Sequence, residues 1–162
     1  MTTDFLELEG KTILVMGVAN RKSIAYKIGT TLETAGAEVL YAVRTEQRRQ
    51  QLLSILPEDS IYVCDVESPD QVQDLAHTVG ARHPVLHGLV HSIAFADYEG
   101  EAKPFHETGK AQFLRAVDIS CYSLITVSNA LKDLFAPSAS VVTISISTTT
   151  MASENYGFMA PI

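Results

Sequence analysis

The sequence predicts an α/β fold built on a doubly wound parallel sheet, and three observations predict it. Five short runs rich in aliphatic and β-branched residues read as buried strands. Segments with apolar residues at helical spacing lie between them. The strict alternation of the two implies right-handed crossovers, and hence parallel strands with helices on both faces.

The strand runs are residues 12–17 (TILVMG), 38–43 (EVLYAV), 60–64 (SIYVC), 86–95 (LHGLVHSIAF) and 140–145 (SVVTIS). The first helix carries Ile24, Ile28, Leu32 and Ala35 and closes at Gly36; the second carries Leu52, Ile55 and Leu56. The third carries Val72, Leu75, Ala76 and Val79 and closes at Gly80, and a long one runs from about Lys110 to Phe135. The expected strand order is 3-2-1-4-5, that of a Rossmann-like dinucleotide fold. Residues 155–162 look like the first turns of a further helix, and a sheet ending here would leave its fifth strand uncovered. The expectation is one domain over residues 1–162, truncated before a sixth strand and a substrate-covering region.

The chain has 162 residues, 46% of them hydrophobic, which suffices for one sizeable core. Its 12 Lys and Arg against 19 Asp and Glu, a formal charge of −7, argue against a nucleic-acid binder. Cys64 and Cys121 form neither a CxxC pair nor a disulfide framework, the histidines have no metal-ligand spacing, and no apolar run is long enough to span a bilayer. The start, MTTDFLELEG, lacks the basic and apolar regions of a signal peptide. A cytoplasmic protein with no nucleic-acid, membrane or metal partner is expected.

The chemistry gathers at strand ends. Gly17 ends the first strand, Ala19, Ser23 and Ala25 are small, and a helix opens at Ser23 and Ile24. Such a bend offers free N–H groups and a positive dipole end to a pyrophosphate. It departs from GxGxxG, and an ordinary strand–helix turn with a serine cap has the same look. Arg44 stands 27 residues beyond Gly17, where dinucleotide folds read the ribose, and tilts the choice towards NADPH, with Arg48 or Arg49 as helpers. Glu46 nearby leaves NADH open, and a solvated charge cluster is the bland alternative. Asp65 and Val66 follow strand 3, as an adenine pocket or as a helix cap. Ser92, Ile93 and Ala94 would let backbone lie against a ribose and nicotinamide, and His91 reads more simply as a core residue than as an acid or base. Tyr156 would stand at the mouth of the cleft.

Together these segments resemble the bacterial enoyl-acyl-carrier-protein reductases, the divergent branch of the short-chain dehydrogenase/reductases. The resemblance covers essentially the whole chain. It is carried by GKTILVMGVANRKSIA (10–25), CDV (64–66), HSIAFA (91–96), DISCYSL (118–124) and NYGFMA (155–160). It implies NADH- or NADPH-dependent reduction of the trans-2 double bond of an enoyl thioester on acyl carrier protein, in fatty-acid synthesis. Tyr156 matches the family's tyrosine at the thioester oxygen. Gly17, Ala19, Ser23 and Ile24 match the pyrophosphate turn, Arg44 the adenosine ribose end, and Asp65 and Val66 the adenine pocket. Ser92, Ile93 and Ala94 match the segment beside the nicotinamide. The family's lysine, seven residues after the tyrosine, would fall one position past Ile162. A fragment ending there is expected to be inactive, and the intact protein a homotetramer.

Two departures stand out. Ile146 occupies the place of a second tyrosine, ten residues before Tyr156, with Ser145 and Ser147 as candidate hydroxyls beside it. The segment Met159, Ala160, Pro161 replaces a glycine-containing continuation. The alternatives are therefore a related short-chain reductase acting on a different enoyl or carbonyl substrate, and a dinucleotide-binding module without catalysis.

Overall fold

A computed structural model of the chain describes residues 6–96 and 104–145. Among these residues five parallel strands form one sheet in the order β3-β2-β1-β4-β5, as expected: β1 Thr12–Met16, β2 Glu38–Val43, β3 Ile61–Val63, β4 Leu86–His91 and β5 Phe135–Thr143. The helices are α1 Ile24–Thr34, α2 Glu46–Leu52, α3 Pro69–Arg82, α4 Lys110–Val117 and α5 Ser123–Leu131.

The two-residue period of a strand sorts the core into two layers. Leu14, Met16, Leu40, Ala42, Tyr62 and Cys64 face α3 and α5, where they meet Val72, Leu75, Val79, Val127 and Leu131. Their neighbours Ile13, Val15, Val39, Tyr41, Val43 and Ile61 face the opposite layer, with Ala25 of α1 and Leu52 of α2. A sheet buried on both faces is why its strands read as continuous apolar runs.

Several boundaries differ from the sequence reading, each for a local reason. Gly36 does close α1, with the Ala37 N–H bonded to Leu32 O. Gly80 does not close α3, which continues to Arg82; a Cβ there would stand 3.0 Å from the Leu134 side chain, so the glycine serves close packing. The second helix ends at Leu52, ahead of Ile55 and Leu56, because Pro57 disfavours helical backbone before it. Beyond His91 the chain leaves the sheet, and Ser120 holds Phe95 by its N–H and carbonyl. β5 starts at Phe135 and accommodates Pro137, which an edge strand tolerates. Val141 and Val142 on it are exposed.

The long fourth helix is interrupted by a π-helical turn over Asp118–Tyr122, a feature common at functional sites. Ser123 Oγ donates to Ile119 O at 2.6 Å and lies 2.7 Å from His91 Nε2. The serine proton is thereby committed, so the imidazole donates through Nε2. Burial lowers the His91 pKa, and the fully buried ring is a neutral structural tie between β4 and the helix. Among the described residues no helix is long and apolar enough to cross a membrane.

Candidate functional site

Parallel pairing places the carboxyl ends of the strands side by side. Met16 is level with Ala42 of β2 and His91 of β4, and Val43 with Val63 of β3. Gly17, Arg44, Asp65 and Ser92 each follow one of these ends, so the structure brings the four expected positions to one edge. In an open α/β sheet this is the edge where ligands bind, at the switch point between outward-running halves.

Gly17 has φ 91°, and a Cβ on it would lie 1.9 Å from the Ser92 carbonyl oxygen. The backbones of the β1 and β4 turns thus touch through the glycine, and Ser92, Ile93 and Ala94 follow along the same edge. Ser23 is the N-cap residue of α1, but its hydroxyl bonds Asn20 O at 2.7 Å and the Ala19 N–H at 3.4 Å rather than the helix. The first-turn N–H groups of α1 are left without a side-chain cap, no acid stands among them, and Ile24 is 60% exposed beside them. These are the features an anion needs at a helix N-terminus.

The carboxyl end of β2, at Arg44, is more crowded than the sequence suggests. Arg44 donates from Nε to Asp65 Oδ2 at 3.0 Å and from Nη2 to Glu67 Oε2 at 2.8 Å. Arg115 of α4 reaches the same Glu67, with Nε to Oε1 at 2.8 Å and Nη2 to Oε2 at 3.0 Å. Its hydrogen bonds hold the Glu67 carboxyl below the ordinary range. Both guanidiniums lie over the Phe95 ring, Arg115 at 4.9 Å and Arg44 at 5.8 Å. Asp65 Oδ1 also accepts the Glu67 N–H, while Ser68 caps α3, so Asp65 is not the helix cap. Val66 packs on the core.

Of the two expected helpers, Arg48 does face the site, donating to Ala19 O at 3.0 Å. Arg49 does not: Glu46 and Glu58 hold it beside β3. There it lines a cavity of about 570 Å³ with Tyr62 and Arg82, a space to which Gly17, Arg44, Asp65 and Ser92 contribute nothing. Sequence reasoning missed Glu67, Phe95 and Arg115. Glu67 lies two residues past Asp65 at a ligand-collecting edge, a signal that could have found it; Arg115 carries none. Tyr156, Ile146 and Ser147 lie outside the described residues, and Ser145 is exposed just past β5.

The family model described as enoyl-(acyl carrier protein) reductase matches residues 17–162. The chain belongs to that family. It is 36% identical over 159 residues to the enoyl-(acyl-carrier-protein) reductase (NADPH) FabI of Staphylococcus aureus, covering 95% of this chain and 62% of the relative. It is likewise 36% identical over 153 residues to the enzyme named for NADH from Enterococcus faecalis, covering 94% and 61%. The crystal structure of the NADH enzyme from Aquifex aeolicus superposes with a TM-score of 0.89 at 30% identity, over 95% of this chain and 68% of that one. The chain therefore spans somewhat under two thirds of the length of these curated relatives.

Proposed function

We propose that this protein reduces the trans-2 double bond of enoyl thioesters carried on acyl carrier protein, using NADH or NADPH, as a step of fatty-acid synthesis. The observation that carries the proposal is the carboxyl edge of the sheet, where the Gly17 bend touches the Ser92 turn beside the uncapped N-terminus of α1. The donor set fits a dinucleotide. Ala19, Ser23 and Ile24 with the α1 N–H groups would hold the pyrophosphate, Arg44 the adenosine ribose, Asp65 and Val66 the adenine, and Ser92 to Ala94 the nicotinamide end. A bound nicotinamide would supply the hydride to the β-carbon of the substrate.

The remaining chemistry belongs to the chain. Negative charge develops on the thioester oxygen as the hydride arrives, and the Tyr156 hydroxyl would donate to it. A donor whose bond strengthens as charge develops lowers the barrier. This role for Tyr156 rests on the resemblance and on family membership. The helical segment bearing exposed Leu114, Tyr122 and Ile125 would meet neighbouring copies in a homotetramer. A cytoplasmic enzyme, with no membrane or nucleic-acid partner, completes the reading.

The test is turnover by the full-length protein on crotonyl and longer enoyl thioesters, with each coenzyme. Oxidation of coenzyme at the rate of double-bond loss is expected. Turnover of ketones alone would favour the related reductase that Ile146, in place of a second tyrosine, points to.

A further inference from the structure

We infer that Glu67 tunes the choice between the two nicotinamide coenzymes, by competing with a ribose 2′-phosphate for the guanidinium of Arg44. The inference rests on the dinucleotide reading of the carboxyl edge and deepens it. Nε and Nη2 form one side of a guanidinium, the fork with which arginine grips a phosphate or carboxylate. On Arg44 both donors of that fork are taken, one by Asp65 at 3.0 Å and one by Glu67 at 2.8 Å.

Glu67 is held in this position from the far side. Arg115 grips it with its own Nε and Nη2, and lies over Phe95 at 4.9 Å. Among the described residues, two carboxylates match the two guanidiniums of the cluster before any ligand arrives. A 2′-phosphate, with a charge of about −1.5 to −2, would either displace two carboxylates from the fork or bind the remaining Nη1 and Nη2 protons with both carboxylates still beside it. A 2′-hydroxyl brings no charge and can donate to either carboxylate, so the same cluster receives NADH without rearranging. Arg44 is half-exposed, so a ligand can reach it, and the cost falls selectively on the phosphorylated coenzyme.

The experiment measures dissociation constants of NADH and NADPH for the full-length protein, its Glu67→Gln and Glu67→Asp variants, and the Arg44→Gln/Glu67→Gln pair with its single Arg44→Gln parent. Glu67→Gln is expected to move the ratio of the two constants about fivefold towards NADPH, the scale of one partly exposed ion pair. Glu67→Asp keeps the charge and should hold the wild-type direction of preference. With Arg44 already replaced, Glu67→Gln should move the ratio by less than about twofold. A role for Glu67 in folding alone would weaken both coenzymes together and leave the ratio still. Binding of both coenzymes with an unmoved ratio in Glu67→Gln overturns the inference alone; uptake of neither by the wild type overturns the dinucleotide reading as well.

Discussion

Replacing Gly17 by alanine tests the close approach of the β1 and β4 turns. The glycine has φ 91°, and a Cβ would stand 1.9 Å from Ser92 O and 2.7 Å from Ser92 C. Backbone strain at such a φ costs about 1–3 kcal/mol. To restore even a 3.0 Å contact, the Ser92 carbonyl must retreat by about 1.1 Å, and it cannot swing aside as a side chain would. Forcing a packed region apart by that amount adds about 1–3 kcal/mol. The expected loss is therefore about 2–6 kcal/mol, a large share of the roughly 5–15 kcal/mol that holds a typical domain together. Gly10→Ala is the control: it has φ 72° with nothing within 4 Å of a Cβ, so it incurs the strain without the collision. Urea unfolding followed by circular dichroism, compared at constant m-value, gives both losses. Equal losses for the two variants would refute the claim that the β1 and β4 turns touch through Gly17.

Three further outcomes follow from the core. Gly29→Ala would place a Cβ 2.4 Å from the Tyr41 ring, whose hydroxyl donates to Glu33, and should cost about 1–3 kcal/mol in the same unfolding assay. Burial lowers the His91 pKa, so the unfolded chain binds its proton more readily; stability should fall as pH drops below about 6.5. That acid-side slope should lessen in His91→Gln, and an unchanged slope would remove His91 as its source. Burial pushes the Cys64 thiol up to about 12, so in the native protein it should resist a thiol reagent at pH 8 and react once unfolded. Rapid native labelling at Cys64, located by peptide mass, would contradict its place in the core.

The sheet is legible because a strand buried on both faces has no polar alternation to blur it, and the runs 13–16 and 39–43 are aliphatic or aromatic throughout. Strand order follows from the doubly wound dinucleotide fold class, and Gly17 is legible because a strand running straight into a helix needs a bend there. Limits appeared wherever a contact joined distant parts of the chain. The pairing of Arg115 with Glu67 spans 48 residues, and no local pattern on α4 distinguishes Arg115 from a solvated arginine. The π-helical turn at Asp118–Tyr122 was invisible for the same reason: Ser123 there is tied to His91, 32 residues away. Arg48 and Arg49 look alike in sequence, yet their neighbouring places on α2 send one to the Ala19 carbonyl and the other to the β3 side. In its local pattern Glu67 resembles any acid at a helix start, although two arginines, Arg44 and Arg115, pair with it.

Backbone amide shifts of the full-length protein, followed by NMR during titration with NADH, test the central claim most directly. The account predicts saturable shifts concentrated at Gly17, Ala19, Ser23 to Ala25, Asp65, Val66 and Ser92 to Ala94. Shifts confined to the cavity beside β3, around Arg49, Tyr62 and Arg82, would place the ligand elsewhere and contradict it, as would no saturable change at all.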